Sequence, residues 1–210
     1  DRTGKELAWN EPHVATSTPF VAREYLDIPG LSHVMGFVQY PKADSSGHWW
    51  RDEILGRSGV ELAFDDMLAG HNGSQMVEVD ARGGIEEQHI VEPAENGEDI
   101  TLSIDASVQS KLFSYLSAHA RAQGFVGGAA AIMDVKTGEL LALTSFPEYS
   151  NVAFNKGDAA AIGAASRDPS SPLLNRAVSG VYAPGSIVKP IFAAAALNEN
   201  LIDPETEIIS

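Results

Sequence analysis

The stretch LNRAVSGVYAPGSIVKP, residues 174–190, runs into the apolar segment from Ile191 to Leu197, and its reading decides how the rest of the chain is understood. Pro184 and Gly185 end an extended run, which puts Ser186 at or near the first turn of the helix predicted to follow. A helix start carries unpaired backbone N–H groups and a partial positive charge, so an oxyanion forming there is stabilised. Positions three apart share a helix face, which brings the amine of Lys189 beside the hydroxyl of Ser186. That hydroxyl becomes a nucleophile when a neighbouring base takes its proton, and an ammonium can act as the base once burial and nearby cations depress its pKa. Serine and lysine also stand three apart in many helices that catalyse nothing, so the pair alone leaves a catalytic and a purely structural helix both open.

The surrounding string decides between them. Leu-Asn-Arg-Ala-Val-Ser-Gly-x-Tyr-x-Pro-Gly-Ser-x-x-Lys-Pro closely resembles the first active-site motif of class B penicillin-binding proteins. In that family the serine attacks the D-Ala-D-Ala end of a peptidoglycan stem peptide, forms an acyl-enzyme and passes the acyl group to an amine on a neighbouring stem. β-Lactams acylate the same serine. The resemblance implies that Ser186 is the nucleophile, that its backbone N–H is one oxyanion donor, and that Lys189 is the general base.

Other segments carry the same resemblance. Residues 134–142, Asp-Val-Lys-Thr-Gly-Glu-Leu-Leu-Ala, are similar to the opening hairpin of the family's transpeptidase sheet. Ile100 to Gln109 is similar to the entry to its first helix. Residues 33–38, 56–61, 77–83 and 1–8 are similar to segments of its non-catalytic pedestal. The implied fold is α+β, a strand-rich pedestal followed by the N-terminal part of a serine transpeptidase domain of the penicillin-binding and β-lactamase-like kind. The implied partners are peptidoglycan stem peptides, β-lactams as inhibitors, and a membrane glycosyltransferase of the shape, elongation, division and sporulation family. The Ser-Gly-x-Tyr-x-Pro-Gly-Ser form looks more like the elongation branch than the division branch. No cofactor or metal is implied, and the expected location is the outer face of the bacterial cell membrane.

Composition agrees with a folded body and excludes several classes. The chain has 210 residues, 44% of them hydrophobic, which is ordinary for a protein that buries a core. Its 14 basic against 29 acidic residues, a formal charge of -15, would repel nucleic acid and anionic lipid. Without cysteine there is no disulfide framework, thiolate metal site or thiol catalysis, and the redox compartment stays open. No run approaches the ~18 consecutive apolar residues of a membrane span. The first residue is Asp1, not Met, and we expect an anchoring segment to be missing ahead of it.

Along the chain, residues 1–92 read as strands and loops, with one short helix over Val60 to Leu68 and a strand over Gln75 to Ala81. The acidic, turn-forming stretch 93–99 reads as a linker, with Asn96-Gly97 as its turn signal. Residues 100–210 are then the transpeptidase portion. Asp105 is placed to cap a helix ending at Gly124, with Val108, Leu112, Tyr115, Leu116 and His119 on its inner face. Gly128 to Val135 and Glu139 to Phe146 read as a hairpin of central strands joined at Gly138. Residues 147–171 carry no clear pattern.

The sequence departs from the family in three places. No S-x-N triplet occurs in it, and the only K-T-G, Lys136-Thr137-Gly138, precedes Ser186 and falls in the predicted hairpin turn, so it reads as a turn and not as the substrate-binding triad. Only 14 residues separate Ala8 from Arg23, where the family carries a longer head subdomain, so the head has been removed or is naturally short. With two active-site motifs absent, this portion alone is expected to be inactive. A β-lactamase, a β-lactam sensor or a non-catalytic structural homologue are the alternatives.

The remaining features have plainer readings. The histidines at 13, 33, 48, 71, 89 and 119 show no metal-like spacing and read as structural or surface residues. Trp49-Trp50 reads as packing within the pedestal in preference to a membrane interface. Asn72-Gly73-Ser74 reads as a turn, not a glycosylation site. The acid pairs Asp65-Asp66 and Glu86-Glu87 point apart and add solubility. Arg176 is read as a brace for the loop before the nucleophile.

Overall fold

Short apolar runs broken by glycine and proline give short strands, and the first of these, β1 (Ala8–Glu11), pairs antiparallel with β2 (Ala22–Tyr25). The computed structural model describes residues 1–11, 20–46, 49–51, 53–80 and 84–207. A one-turn helix α1 (Ser32–Met35) follows, and then the strands β3 (Val38–Gln39), β4 (Lys42–Ala43), β5 (Trp49–Arg51) and β6 (Leu55–Gly56), in which β3 pairs with β6 and β4 with β5.

The helix expected over 60–68 is instead two short ones, α2 (Gly59–Ala63) and α3 (Asp65–Leu68), parted at Phe64. The apolar residues of this segment do not form its inner side: Leu62 and Met67 are exposed, while Glu61 is the buried residue of α2, at 3% exposure. An ion pair of 2.8 Å to Arg23 Nε accounts for this, since a buried carboxylate needs a partner. The expected strand after it is β7 (Ser74–Val79), paired with β8 (Ile85–Glu92); Ala81, its predicted end, lies outside the described residues, as do His13 and His48. Asn72 and Gly73 form the connection between α3 and β7, as the turn reading expects. The acidic stretch 93–99 is tied to α3: the Glu98 N–H donates to Met67 O at 2.7 Å, and Glu95 forms a β-bridge with His71.

Helix α4 (Ala106–Gln123) is capped as the sequence predicts. The Asp105 carboxylate accepts from Ser107 and Val108 N–H at 2.8 and 3.0 Å, and left-handed Gly124 closes the other end. Its inner face is turned from the one expected. Ala106, Gln109, Ser117 and Ala120 are buried, whereas His119 is exposed and Tyr115 is 76% exposed. The reason is Gln109: a glutamine holds the innermost position of the helix, so a pattern built on apolar residues misplaces the stripe.

The expected hairpin is β9 (Gly128–Met133) and β10 (Leu140–Phe146), antiparallel. Among the described residues these strands pair only with each other, and β9 is largely exposed, so within this chain they are not central strands; β10 is the buried one. The unassigned stretch contains α5 (Asn151–Asn155) and α6 (Ala159–Arg167), capped by Ser150 and Asp158. A 3-10 turn (Ser186–Val188) leads into α7 (Lys189–Asn198).

Contacts divide the chain into two compact units, Asp1–Ser179 and Gly180–Ser210. In the first, Leu7, Tyr25, Leu31, Met35 and Ala106 form one apolar cluster, so packing joins the opening strands to the start of α4. Each fully buried side chain the size of Leu31 contributes about 1.5–3 kcal/mol. Polar groups complete the joint. Gln109, 0% exposed, donates from Nε2 to Gly30 O and to Leu143 O (2.6 Å), and its Oε1 accepts from Leu143 N–H at 2.8 Å. The Glu148 carboxylate accepts from Gly30 N–H at 2.7 Å; burial raises its pKa, and the Gly30 and Ser32 N–H groups oppose that rise. Asn151 Nδ2 donates to Gly36 O at 3.1 Å, and Asn155 Nδ2 to Arg23 O at 2.6 Å. Asp1 accepts from Ala106 N–H at 3.0 Å, adding a second carboxylate at the start of α4.

Candidate active site

Ser186 opens the 3-10 turn instead of the α-helix itself, and Lys189 is the first residue of α7. The Lys189 N–H donates to Ser186 O, closing that turn. In a 3-10 helix residues three apart eclipse one another, so the local backbone keeps Ser186 and Lys189 on one side. Pro190 stands in the first turn of α7, where its missing N–H costs nothing. Both Ser186 and Lys189 are exposed, and no hydrogen bond joins their side chains among the described residues.

Around them the second unit exposes apolar side chains. Val181 is 97% exposed and Phe192 69%, with Ile187, Ile191 and Leu201 also exposed. Helix α7 is apolar around most of its circumference, the pattern of a helix that is buried in its finished setting.

In the first unit, Lys136-Thr137-Gly138 occupies the β9–β10 turn. Lys136 N–H donates to Asp134 Oδ1 at 2.8 Å, Gly138 N–H to Asp134 O at 2.8 Å, and Gly138 has φ 78°. The triplet is used by the turn itself, in line with its reading as a turn. Arg176 does brace its loop: it is 9% exposed and donates to the carbonyls of Ser171 (3.0 Å) and Ser170.

Two further residues lie close to this loop: His33, read from the sequence only as structural or surface, and Ser145, which no local signal marks. His33, on α1, is buried edge-on against Tyr149 at 5.1 Å, and its Nε2 has no hydrogen-bond partner among the described residues. Burial lowers its pKa, the nearby Pro172 and Pro147 carbonyls oppose that, and Arg176 reinforces it. Ser145, fully buried on β10, accepts from Arg176 N–H at 3.0 Å and donates to Leu174 O at 3.1 Å. Among the described residues no cluster of three or more His, Asp or Glu could hold a metal ion, and no helix is long and apolar enough to cross a membrane.

Comparison with known proteins gives these elements a family. Residues 12–102 match the penicillin-binding protein dimerisation domain, and residues 128–210 match the penicillin-binding protein transpeptidase domain. A relative in Haemophilus influenzae, named peptidoglycan D,D-transpeptidase MrdA, is 31% identical over 200 residues, covering 90% of this chain and 30% of the relative. The chain thus spans under a third of that protein's length. A crystal structure of penicillin-binding protein 2X from Streptococcus thermophilus superposes with TM-score 0.69 at 24% identity, over 89% of this chain and 26% of that one, which shows the fold. A chain of a structure described as a peptidoglycan synthase complex, with coordinated polymerization and crosslinking, has TM-score 0.68 at 29% identity, over 89% of this chain and 34% of its own. The α+β architecture is therefore that of a dimerisation domain leading into transpeptidase structure, and the chain belongs to the penicillin-binding proteins.

Proposed function

We propose that the complete protein is a peptidoglycan D,D-transpeptidase with Ser186 as nucleophile and Lys189 as general base. The observation that carries this is the Ser186–Lys189 turn at the head of α7, inside the segment that matches the transpeptidase domain. In the reaction, Ser186 Oγ attacks the carbonyl carbon of the penultimate D-Ala while Lys189 Nζ, in its neutral form, takes the hydroxyl proton. The Ser186 backbone N–H stabilises the oxyanion. The C–N bond then breaks, the terminal D-Ala leaves with the proton from Lys189, and an ester to Ser186 remains. An acceptor amine on a neighbouring stem peptide attacks that ester, and the proton it loses returns to Ser186 Oγ as the C–O bond breaks. A β-lactam would follow the first half only, opening its ring amide onto Ser186.

The apolar side chains exposed around Ser186 and Lys189 support a complete protein in which further structure covers this face. The domain boundaries in this reading are a pedestal over 1–92, a linker over 93–99 and transpeptidase structure over 100–210; the matches over 12–102 and 128–210 support the order of the two parts. The relative named peptidoglycan D,D-transpeptidase MrdA supports the reaction; we read the complete protein as an elongation-type enzyme anchored at the membrane with its catalytic part on the outer face, on the resemblance of the 174–190 string. The synthase complex supports a polymerising partner, which we take to be a membrane glycosyltransferase of the shape, elongation, division and sporulation family. The test is labelling of the complete protein with a fluorescent penicillin: a stable adduct is expected, and its absence under conditions where the protein is folded would refute the assignment.

A further inference from the structure

We propose that the β7–β8 hairpin is a docking edge for another protein, and that it takes an extended segment in which Lys or Arg alternates with apolar residues. Among the described residues β7 and β8 pair only with each other, so each keeps one edge of backbone N–H and C=O groups without a neighbouring strand. Both faces are open as well: residues 71–78, 84 and 86–99 are all exposed. Hydrogen bonds hold the ribbon at its base, where His71 bridges Glu95 and the Glu98 N–H donates to Met67 O. A two-stranded ribbon with nothing packed on it is marginal in water, and a further strand is one way for it to gain stability.

The register determines which segment fits. Gln75 lies opposite Ile90 and Val77 opposite Gln88, so these four share one face; Met76 opposite His89 and Glu78 opposite Glu87 share the other. The first face carries no charge. The second sets two carboxylates directly across from each other, which costs stability in a sheet. Glu87 meets His89 at 3.4 Å, whereas Glu78 has no basic partner among the described residues. A strand added beside β8 presents its side chains to these two faces in alternation. Its apolar residues then cover Ile90, and its Lys or Arg residues come beside Glu87 and offset the repulsion from Glu78.

Charge selects against other occupants. From His71 to Asp99 the sequence carries eight carboxylates and a single arginine, Arg82, which lies outside the described residues. A second copy would set this acidic edge against itself, and an anionic lipid surface would be repelled by it. Acidic residues alone would mark a guarded edge, one kept charged so that it stays unpaired. Here Met76, Ile90 and Val91 are 58%, 76% and 61% exposed on the same ribbon, and exposed apolar side chains rimmed by charge are the mark of an interaction surface.

The experiment places the photo-crosslinking residue p-benzoylphenylalanine at position 90 of the complete protein in its native cells, in place of Ile90, and maps the crosslinked peptide by mass spectrometry. The expected product is one major adduct to a different protein, on a segment that alternates Lys or Arg with apolar residues. Glu78→Lys combined with Glu87→Lys should reduce that adduct about tenfold, because both reversed charges face the basic side chains. Glu6→Lys combined with Glu53→Lys, the same charge change at exposed sites outside the hairpin, should leave it within about twofold. If the first double variant does not accumulate as folded protein, Glu87→Gln decides by the same readout, with an expected loss of about threefold. An adduct to a second copy, to another part of the same chain, or to a segment without basic residues would overturn the proposal. So would the absence of any adduct, or one that survives the charge reversal.

Discussion

Residues 1–179 bury polar side chains and give several of them specific partners, whereas residues 180–210 expose apolar side chains. In the first unit Gln109, Asn151, Asn155, Glu148 and Glu61 sit inside because each meets a named backbone group or charge. In the second, Val181, Ile187, Phe192 and Leu201 have the composition of a core without the burial of one. The contrast teaches where each part finds its partners. The first carries them in its own sequence, and the second, in which the proposal places Ser186 and Lys189 as nucleophile and base, leaves these apolar side chains exposed.

The largest effect should fall on the second unit's chemistry. Ser186→Ala in the complete protein should reduce acylation by a fluorescent penicillin at least ~10⁴-fold, and Lys189→Ala by about 10²–10⁴-fold, with unchanged circular dichroism. The 210 residues alone should label far more slowly than the complete protein; comparable rates would break the contrast, because the second unit would then need nothing further.

Next in size is the buried ion pair. Arg23→Met removes the guanidinium partner of the buried Glu61 carboxylate, and should cost about 3–5 kcal/mol in urea unfolding of the first unit. Gln109→Ala orphans Gly30 O and both backbone groups of Leu143, for an expected loss of about 3 kcal/mol. Val181→Ser sharpens the comparison from the other side: it should change the stability of the 210 residues by under about 0.5 kcal/mol, as surface substitutions do, but cost more than that in the complete protein.

The smallest effect is a pH dependence. His33 has a folded pKa below its ordinary value, so its contribution to stability is present above the unfolded pKa and is lost as pH falls through that range. Glu148, raised in the folded state, works in the opposite sense and favours the fold only as acid protonates it. Lowering the pH from neutral should therefore first weaken the fold through His33, and His33→Gln should flatten that limb of the curve.

Much of this was legible from residues alone where the signal is local. Asp105 and Gly124 bound α4, Gly138 turns the hairpin, and the 174–190 string placed Ser186 and Lys189 on one turn. What escaped was non-local. Glu61 could be read as buried only by knowing that Arg23 comes beside it, and Gln109 only by knowing that Gly30 and Leu143 converge on it. Helices α5 and α6 escaped although Ser150 and Asp158 carry ordinary N-cap signals, because α5 is only five residues long and the Ala-rich body of α6 has no strong apolar period. Arg176 reads as a brace from its position, but nothing local connects it to Ser145.

The most direct measurement is intact-mass and peptide mass spectrometry of the complete protein after exposure to a β-lactam. The account predicts a single covalent adduct of the drug's full mass on the peptide that contains Ser186, lost in Ser186→Ala. A folded protein that gains no mass, or that gains it at a residue other than Ser186, would contradict it.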